Sequence, residues 1–282
     1  MAVFTNMATL TYNGNTTNSN IVTGEITRVL TANKVAINDT YTANDDITYV
    51  INIINSGTTD ITGLTVTDNL GSYTFEDETL IPLTFIEGAI RYFVNGVLQA
   101  EPTVEAGPPL VISGIRVPAG GNAAIIYEVN ANSFAPLGED GTITNEAVIS
   151  GAGLTPITVS ETVSVRDEID LRITKALSPT VVTENGEITY TFTIENFGNQ
   201  PAVATDNIVM TDLFDPILDI TSVTFNGTTW TENVNYTYNE ATGEFATIEG
   251  QITVPAATFT QNPDGSFTVT PGVATLVVVG TV

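Results

Sequence analysis

Cysteine and histidine are both absent from this chain of 282 residues. Disulfides and thiol chemistry are therefore excluded, and so are Cys/His zinc sites and Ser-His-Asp triads. No other nucleophile–base pair or metal-ligand cluster stands out, so we expect a protein that is not an enzyme and holds no cofactor. The acidic turns at 44–46, 138–141 and 262–265 could bind calcium, but none has EF-hand spacing. Plain turns are the favoured interpretation.

Positive charge is scarce, since 7 basic residues stand against 32 acidic ones and give a net charge of −25. Nucleic acid is excluded as a natural partner, because phosphate binding needs a basic face, and anionic membrane surfaces are disfavoured. Such a charge keeps a surface protein soluble; alternatively, it controls assembly through repulsion that salt must screen. The longest apolar run, Ala274–Val279, is too short to cross a bilayer, so no membrane insertion is expected.

The residues that are abundant indicate strands and turns. Val, Ile, Thr and Tyr alternate in short runs that Asn, Gly, Asp and Pro interrupt. No window shows a 3.6-residue period with helix caps. We therefore predict an all-β protein of two tandem immunoglobulin-like β-sandwiches, although the Cys–Trp–Cys arrangement of antibody domains is absent.

One pattern occurs twice along the chain. Thr48-Tyr49 corresponds to Thr189-Tyr190, 141 residues further on (190 − 49). Val66-Thr67-Asp68 likewise corresponds to Met210-Thr211-Asp212, 144 residues further on (212 − 68). Self-similarity at a domain-sized period indicates tandem domains.

The second copy stops before its closing strands. After the strand at 124–129, the first copy continues through Thr144–Ser150 and a second apolar run, whereas the sequence ends at Val282 within the strand equivalent to 124–129. The closing pattern recurs at Thr5–Thr11, and a second apolar run follows it there too. We therefore predict an N-terminal donor hairpin at 1–30, a first sandwich at 31–165, and a second sandwich at 166–282 that lacks its final strands.

Donation of this hairpin to a neighbouring copy would complete the second sandwich. A sandwich without its last strands exposes an unpaired edge and an apolar groove, which is a template for a strand of another chain. The contact is head to tail, so it generates filaments unless it closes into a ring. We expect a structural subunit that assembles with itself into a fibre, with a donor strand that contributes Val3, Asn6, Met7, Ala8 and Leu10.

The only two lysines, Lys34 and Lys175, occupy equivalent places in the two copies. A Lys–Asn isopeptide bond needs a buried, neutral lysine and a carboxylic acid that polarises the amide and shuttles protons. The candidate sets are Lys34, Asp68 and Asn145 in the first copy, and Lys175 and Asp212 in the second, with Asn6 of another subunit. The alternatives are a lysine that extends to solvent, aspartates in ordinary turns and asparagines that bond across a strand.

The pattern over residues 30–282 resembles a bacterial surface repeat, the domain of unknown function eleven. Its features are a lysine after Asp170-Leu171, a Thr-Tyr strand that runs to Asn196–Gly198, the Thr211-Asp212 turn and a closing strand with Asn145–Ala147. Several bacterial pilin and adhesin domains with immunoglobulin-like folds form a Lys–Asn bond between their first and last strands, and likeness to them implies such bonds here. The N-terminus, which shows no signal peptide, also looks like that of clostridial repeat proteins, which implies an extracellular fibre on a cell or spore surface.

Three other interpretations remain open. The chain could be a piece of a cell-surface adhesin or stalk whose last strand lies beyond Val282. It could be a carbohydrate-binding module, for which Trp230, Tyr236 and Tyr238 are the candidate sugar-stacking platform, although such aromatics more often fill a core. Finally, the hairpin could fold back on the second sandwich and give a closed monomer.

Overall fold

The computed structural model describes residues 2–26 and 28–282, and at positions 2, 3, 25 and 26 it describes only the backbone. In these two ranges the regular structure is β-strand apart from one 3₁₀ turn at Ala204–Asp206. The prediction of an all-β, immunoglobulin-like fold is confirmed. No helix in the described ranges is long and apolar enough to span a membrane.

The chain divides into two compact units. The first contains the residues up to Asp39 together with Asp45–Ala131 and Thr144–Val163. The second contains Thr40–Asn44, Asn132–Ile143 and Ser164–Val282. The domain boundaries at 30 and 165 stay predictions.

The N-terminal segment forms a ribbon of four short strands. They are β1 (Ala2–Asn6), β2 (Thr9–Tyr12), β3 (Asn15–Asn18) and β4 (Val22–Ile26). Strand β1 pairs antiparallel with β4, and β2 with β3. The turn at the tip is Asn13-Gly14, where both residues have positive φ (44° and 79°), as a type I′ hairpin turn requires. The apolar side chains of the ribbon are exposed; these are Phe4, Met7, Leu10, Tyr12, Ile21 and Val22.

The first copy is built from thirteen strands in two main sheets and a small hairpin. Their bounds are β5 (Leu30–Ala36), β6 (Thr40–Tyr41), β7 (Asp46–Asn55), β8 (Ile61–Asp68), β9 (Tyr73–Phe75), β10 (Glu78–Leu80), β11 (Leu83–Val94), β12 (Val97–Leu98), β13 (Thr103–Glu105), β14 (Leu110–Val117), β15 (Asn122–Ala131), β16 (Thr142–Ser150) and β17 (Ile157–Val165). One sheet has the order β12-β11-β15-β7-β5. The other runs β13-β14-β8-β16-β17, and the end of β17 pairs with β6. Strands β9 and β10 pair with each other.

Period-two alternation sends one face of each long strand into the core. On β7, Ile47, Tyr49, Ile51 and Ile53 are buried, and each residue between them is partly exposed. Strand β15 alternates in the same way. This pattern is the one expected for strands that pack one face against a second sheet.

The second copy repeats the plan with fewer strands. Its strands are β18 (Leu171–Ser178), β19 (Glu187–Asn196), β20 (Thr211–Leu213), β21 (Asp219–Phe225), β22 (Thr228–Thr229), β23 (Tyr236–Asn239), β24 (Glu244–Thr247), β25 (Thr258–Gln261), β26 (Phe267–Thr270) and β27 (Gly272–Thr281). The orders are β18-β19-β27-β21-β22 and β20-β24-β23, with β25 and β26 as a separate hairpin.

The Asn-x-Gly motif of each copy has a structural role. The Asn55 and Asn196 side chains are fully buried at the ends of β7 and β19. Each accepts a hydrogen bond from the backbone N–H of the glycine two residues later (3.0 Å in both) and donates Nδ2 to backbone carbonyls of neighbouring loops. Burial without these partners would cost about 1–3 kcal/mol, so the motif fixes the same corner twice.

Candidate functional site

The first lysine site lies between the two sheets of the first copy. Lys34 comes from the edge strand β5, and Asp68 ends β8 in the other sheet. Lys34 Nζ donates to Asp68 Oδ2 at 2.7 Å, and both side chains have no exposed surface. A lysine that extends to solvent therefore does not describe Lys34.

Two tyrosines enclose the ammonium group. Lys34 Nζ lies 4.6 Å from the centre of the Tyr49 ring and 5.9 Å from that of Tyr127. The two rings stack on neighbouring strands, with centroids 5.8 Å apart. Tyr127 donates its hydroxyl to Asp68 Oδ2 at 2.5 Å, and the backbone N–H of Leu70 donates to Oδ1 at 2.9 Å. The carboxylate thus accepts from three donors.

Burial decides how these groups hold their protons. Desolvation lowers the pKa of Lys34 below 10.5, although the charges of Asp68, Glu161 and Glu146 act in the opposite direction. Burial, followed by the nearby Asp68 charge, raises the pKa of Tyr127 well above 10.0. Tyr127 is therefore a lasting hydrogen-bond donor to Asp68, whereas Lys34 is an amine whose neutral form is more accessible than usual.

Asn145 completes the buried group. It lies on β16, the strand that pairs with β8 and closes the sandwich. Its Oδ1 accepts a hydrogen bond from the backbone N–H of Gly71 at 3.2 Å. The Asn145 amide lies beside the Tyr127 hydroxyl, yet Nδ2 has no partner of ordinary hydrogen-bond geometry among the described residues. A buried amide NH₂ without an acceptor is costly, which is typical of a site under functional constraint.

Two members of this site are absent from the sequence prediction. Tyr127 and the Gly71 backbone contact the acid and the amide, and neither belongs to the Lys–Asp–Asn pattern. Tyr127 could be found, because it alternates with the apolar Ile125 and Val129 on one strand and must share their buried face. The Gly71 contact depends on a turn whose course the sequence does not indicate.

The second lysine site has the same ion pair in an open setting. Lys175 Nζ donates to Asp212 Oδ2 at 2.5 Å, but the two side chains are 39% and 18% exposed. Lys175 lies over the rings of Tyr190 (4.4 Å), Phe192 (5.4 Å) and Phe214 (5.3 Å). Among the described residues of this copy, no asparagine occupies the place of Asn145.

An uncovered groove explains this exposure. In the first copy β8 pairs with β14 on one side and with β16 on the other. In the second copy β20 pairs with β24, and the structure shows no strand on its other side among the described residues. Strand β18 is therefore exposed over most of its length; Ile173 is 53% exposed and Leu213, on β20, is 61% exposed.

The N-terminal ribbon reproduces the hairpin that fills this place in the first copy. Thr144 and Thr162 of β16 and β17 face each other, with Oγ1 atoms 2.8 Å apart. Thr5 and Thr23, each 139 residues earlier (144 − 5 and 162 − 23), are paired in the β1–β4 register. The N-terminal ribbon thus pairs the two threonines that are equivalent to a cross-strand threonine contact of the internal closing hairpin.

The aromatics of the proposed sugar platform lie in the core instead. Trp230 and Tyr236 are buried, and they stack on Phe225 (4.9 Å) and Phe245 (5.2 Å). Tyr238 packs against the same core and donates its hydroxyl to the Leu218 carbonyl at 2.9 Å. The acidic turns form no group of three or more potential metal ligands in the described ranges.

Comparison with solved structures finds pilus subunits and adhesin domains. RrgB, the pilus backbone of Streptococcus pneumoniae, is 12% identical over 86% of this chain and 55% of its own, with a TM-score of 0.35. BcpA, the major pilin subunit of Bacillus cereus, is 11% identical over 87% of this chain and 66% of its own (TM-score 0.35). The collagen-binding domain of a Staphylococcus aureus adhesin is 11% identical over 50% of this chain and 99% of its own (TM-score 0.31).

These likenesses concern the fold only. The TM-scores are too low to transfer the activity or partners of the neighbours to this chain, which spans only part of both pilus subunits. No protein family matches the sequence, and no curated protein does. The resemblance to the domain of unknown function eleven therefore remains a resemblance of motifs.

Proposed function

We propose that the protein is a structural subunit that polymerises head to tail by strand donation. The N-terminal ribbon of one copy fills the open groove of the second copy in the next molecule. The observation that carries this proposal is that one chain contains both an open groove and a ribbon that matches the missing hairpin. Among the described residues no β16–β17 hairpin fills the groove, and the ribbon pairs the equivalents of Thr144 and Thr162 and exposes its apolar side chains.

The first copy supplies the register of the contact between molecules. Ala147 pairs with Asp68, and Ile149 with Val66. When this register is transferred to the equivalent positions of the junction, Ala8 of the donor lies opposite Asp212, and Leu10 lies opposite Met210. Asn6 then takes the place of Asn145 and reaches the Lys175 site.

Strand alternation selects which donor side chains enter the groove. On β16, Ile143, Asn145, Ala147 and Ile149 are buried, and the residues between them are exposed or partly exposed. The donor residues on the same face are Phe4, Asn6, Ala8 and Leu10. Met7 then faces solvent, where β16 carries Glu146, and the backbone position of Val3 falls on that outer face too. Phe4 thus replaces Val3 and Met7 as an apolar plug.

A Lys–Asn bond would make each junction covalent, and the arrangement of the first copy supports the following steps. Lys34 Nζ transfers a proton to Asp68, and the neutral amine attacks Asn145 Cγ. The bond from Nζ to Cγ forms, and the bond from Cγ to Nδ2 breaks. Of the three ammonium hydrogens, one stays on the new amide, and two leave with Nδ2 as an ammonium ion, so Asp68 is again a carboxylate.

The surroundings favour this reaction. The Gly71 N–H already points to Asn145 Oδ1, where negative charge develops when the amine adds. Burial favours the neutral amine. The same reaction at the second site joins Lys175 to Asn6 of another molecule, with Asp212 in the role of Asp68. A fibre of this kind, on the surface of a cell or spore, is also what the motif resemblance implies.

Electron microscopy of the full chain beside a variant that lacks residues 1–26 tests strand donation. The deletion ends before β5, whose first residue, Leu30, is buried in the first sandwich. We expect filaments from the full chain and dispersed particles from the variant. If the full chain also stays dispersed, the proposal is wrong, and a piece of an adhesin or stalk becomes the better interpretation.

Boiled denaturing gels and intact-mass measurements then test the covalent step. Wild-type filaments should give a ladder, and Lys175→Met should abolish it. The matched control is Asn145→Ala, which leaves the buried Lys34–Asp68 pair intact and should keep the ladder and lose only the internal bond. Each bond removes the mass of one ammonia. Filaments that fall to single chains on boiling, with no mass loss, would show a noncovalent fibre.

A further inference from the structure

The closing hairpin of the first copy makes a second contact beyond β8. The last residues of β17 pair in parallel with the two-residue strand β6, in the register Ser164–Thr40 and Val165–Tyr41. The Arg166 N–H donates to the Tyr41 carbonyl at 2.8 Å. The hairpin is thus held along β16 and also at the far end of β17.

The β6 segment is an ordered part of the fold. Tyr41 is fully buried, and its hydroxyl donates to the Pro136 carbonyl at 2.6 Å. Such a short parallel pair adds few hydrogen bonds. Its effect is to fix where β17 ends, and a strand that is fixed at both ends cannot slip along its neighbour.

The second copy has the matching segment, and none of the described strands pairs with it. With the offset of 141, Thr40 and Tyr41 correspond to Val181 and Val182. The backbone supports this alignment, because Asn44 and its equivalent Asn185 both have positive φ, 63° and 61°. Val181 and Val182 belong to no strand, and Val181 is 87% exposed.

An aliphatic residue this exposed, at a position that is paired in the other copy, points to a contact missing from the single chain. The hairpin register supplies the occupant. Ser164 and Val165 are 139 residues after Glu25 and Ile26 (164 − 25), the last residues of β4. When the ribbon of another molecule fills the groove, its β4 end therefore reaches the place that Val181 and Val182 define.

We propose that Val181–Val182 is a second docking element of the fibre junction, to which Glu25–Ile26 of the incoming molecule adds as a parallel strand. This inference rests on the proposed polymerisation and specifies its partner surface. In the resulting register Glu25 lies beside Val181, and Ile26 beside Val182. Positions 25 and 181 are directly paired in this register, so a charge introduced at residue 181 is next to an acidic position of the incoming strand.

A charge at position 181 tests this contact in the full chain. Val181→Asp places a carboxylate beside Glu25, whereas Val181→Lys places an opposite charge there. Val181 is so exposed that both variants should fold as the wild type does. The matched control is Val234→Asp, which adds the same charge at an exposed valine (59%) in a turn of the second copy.

The readout is the critical concentration for filament formation, measured by sedimentation. We expect Val181→Asp to raise it about tenfold, because this variant loses the burial of one valine and adds a second negative charge next to Glu25. Val234→Asp should leave it near the wild-type value, and Val181→Lys should raise it less than Val181→Asp does, because its charge is opposite to that of Glu25. Equal critical concentrations for Val181→Asp and Val234→Asp would overturn the docking element but leave the proposed polymerisation intact. An equal rise in Val181→Asp and Val181→Lys would overturn the register with Glu25. A wild-type chain that forms no filaments overturns the proposed function itself.

Discussion

The side chain of Lys34 carries a charge that its surroundings only partly stabilise. Asp68 accepts its hydrogen bond, but two tyrosine rings and the sandwich core exclude water. Desolvation is the larger effect and lowers the pKa of Lys34 below 10.5. Breaking such a pair by removing one partner is strongly destabilising, because it leaves a buried charge. Formation of the isopeptide bond removes the Lys34 charge and, with it, the free-energy cost of burying that charge.

The pH dependence of the internal bond follows from this pKa. The amine becomes neutral by giving its proton to Asp68, so the reactive pair holds as many protons as the ion pair, and its population does not depend on pH while the pair keeps that proton. The proton is lost as the pH rises through the pKa of Lys34, which lies below 10.5, and the acid that polarises the amide is lost with it. We therefore expect the rate of ammonia loss on refolding to be level near neutral pH and to fall before pH 10.5. Intact mass after refolding at a series of pH values measures the rate, with Asn145→Ala as the blank. A rate that rises with pH throughout this range would contradict proton transfer to Asp68.

The sequence indicates which residue types meet at this site, but not how each is held. Equivalent lysines and aspartates in a fixed order are visible in the repeat, and the structure places Lys34 on Asp68. The contribution of Tyr127 depends on which strands become neighbours, since β15 and β7 are about seventy residues apart in sequence and pair only through long-range contacts. The Gly71 N–H acts through a backbone turn, which leaves no side-chain signature.

At the scale of single elements, the two faces of β1 and β2 have different expected roles. In the proposed junction, Leu10 of β2 would enter the groove in the place of buried Ile149, and Met7, between β1 and β2, would lie on the outer face in the place of exposed Glu146. Both are exposed in the single chain, so neither change should harm its fold. We expect Leu10→Glu to abolish filaments, because a charge would be buried without a partner, and Met7→Glu to assemble like the wild type. Electron microscopy of both variants measures this. Loss of filaments in both would contradict the register taken from β16.

Element length decides how much of the fold the sequence indicates. The long strands β7 and β19 alternate over ten residues, and the pattern assigns both their type and their buried face. Strands β6 and β22 contain two residues each, and no periodicity exists at that length. Pairing of β6 with β17 is a tertiary event that joins residues far apart in sequence. It therefore emerges only from the structure, together with the docking element that it suggests in the second copy.

The whole molecule carries 32 acidic and 7 basic residues, yet positions 2–24 of the ribbon contain none of either. In the ribbon Met7 and Val22 stand where the internal hairpin has Glu146 and Glu161, two carboxylates that favour the charged form of Lys34. A docked ribbon would therefore bring no such carboxylate to Lys175. The lack of charge over positions 2–24 also lets this part of the ribbon approach a strongly negative neighbour without local repulsion.

A salt series should separate the repulsion between negatively charged copies from the contacts between ribbon and groove. The net charge of −25 makes copies repel at low ionic strength, where the screening length is about 30 Å, and the repulsion shrinks when salt shortens it to about 8 Å. We expect the critical concentration for filaments to fall as salt is added to physiological strength. Beyond that point it should change little, because the ribbon and groove meet through apolar side chains and main-chain hydrogen bonds. Sedimentation across a salt series measures both phases. Filaments that dissolve as salt is added would show that ion pairs hold the junction. Strand donation through the uncharged positions 2–24 would then not explain assembly.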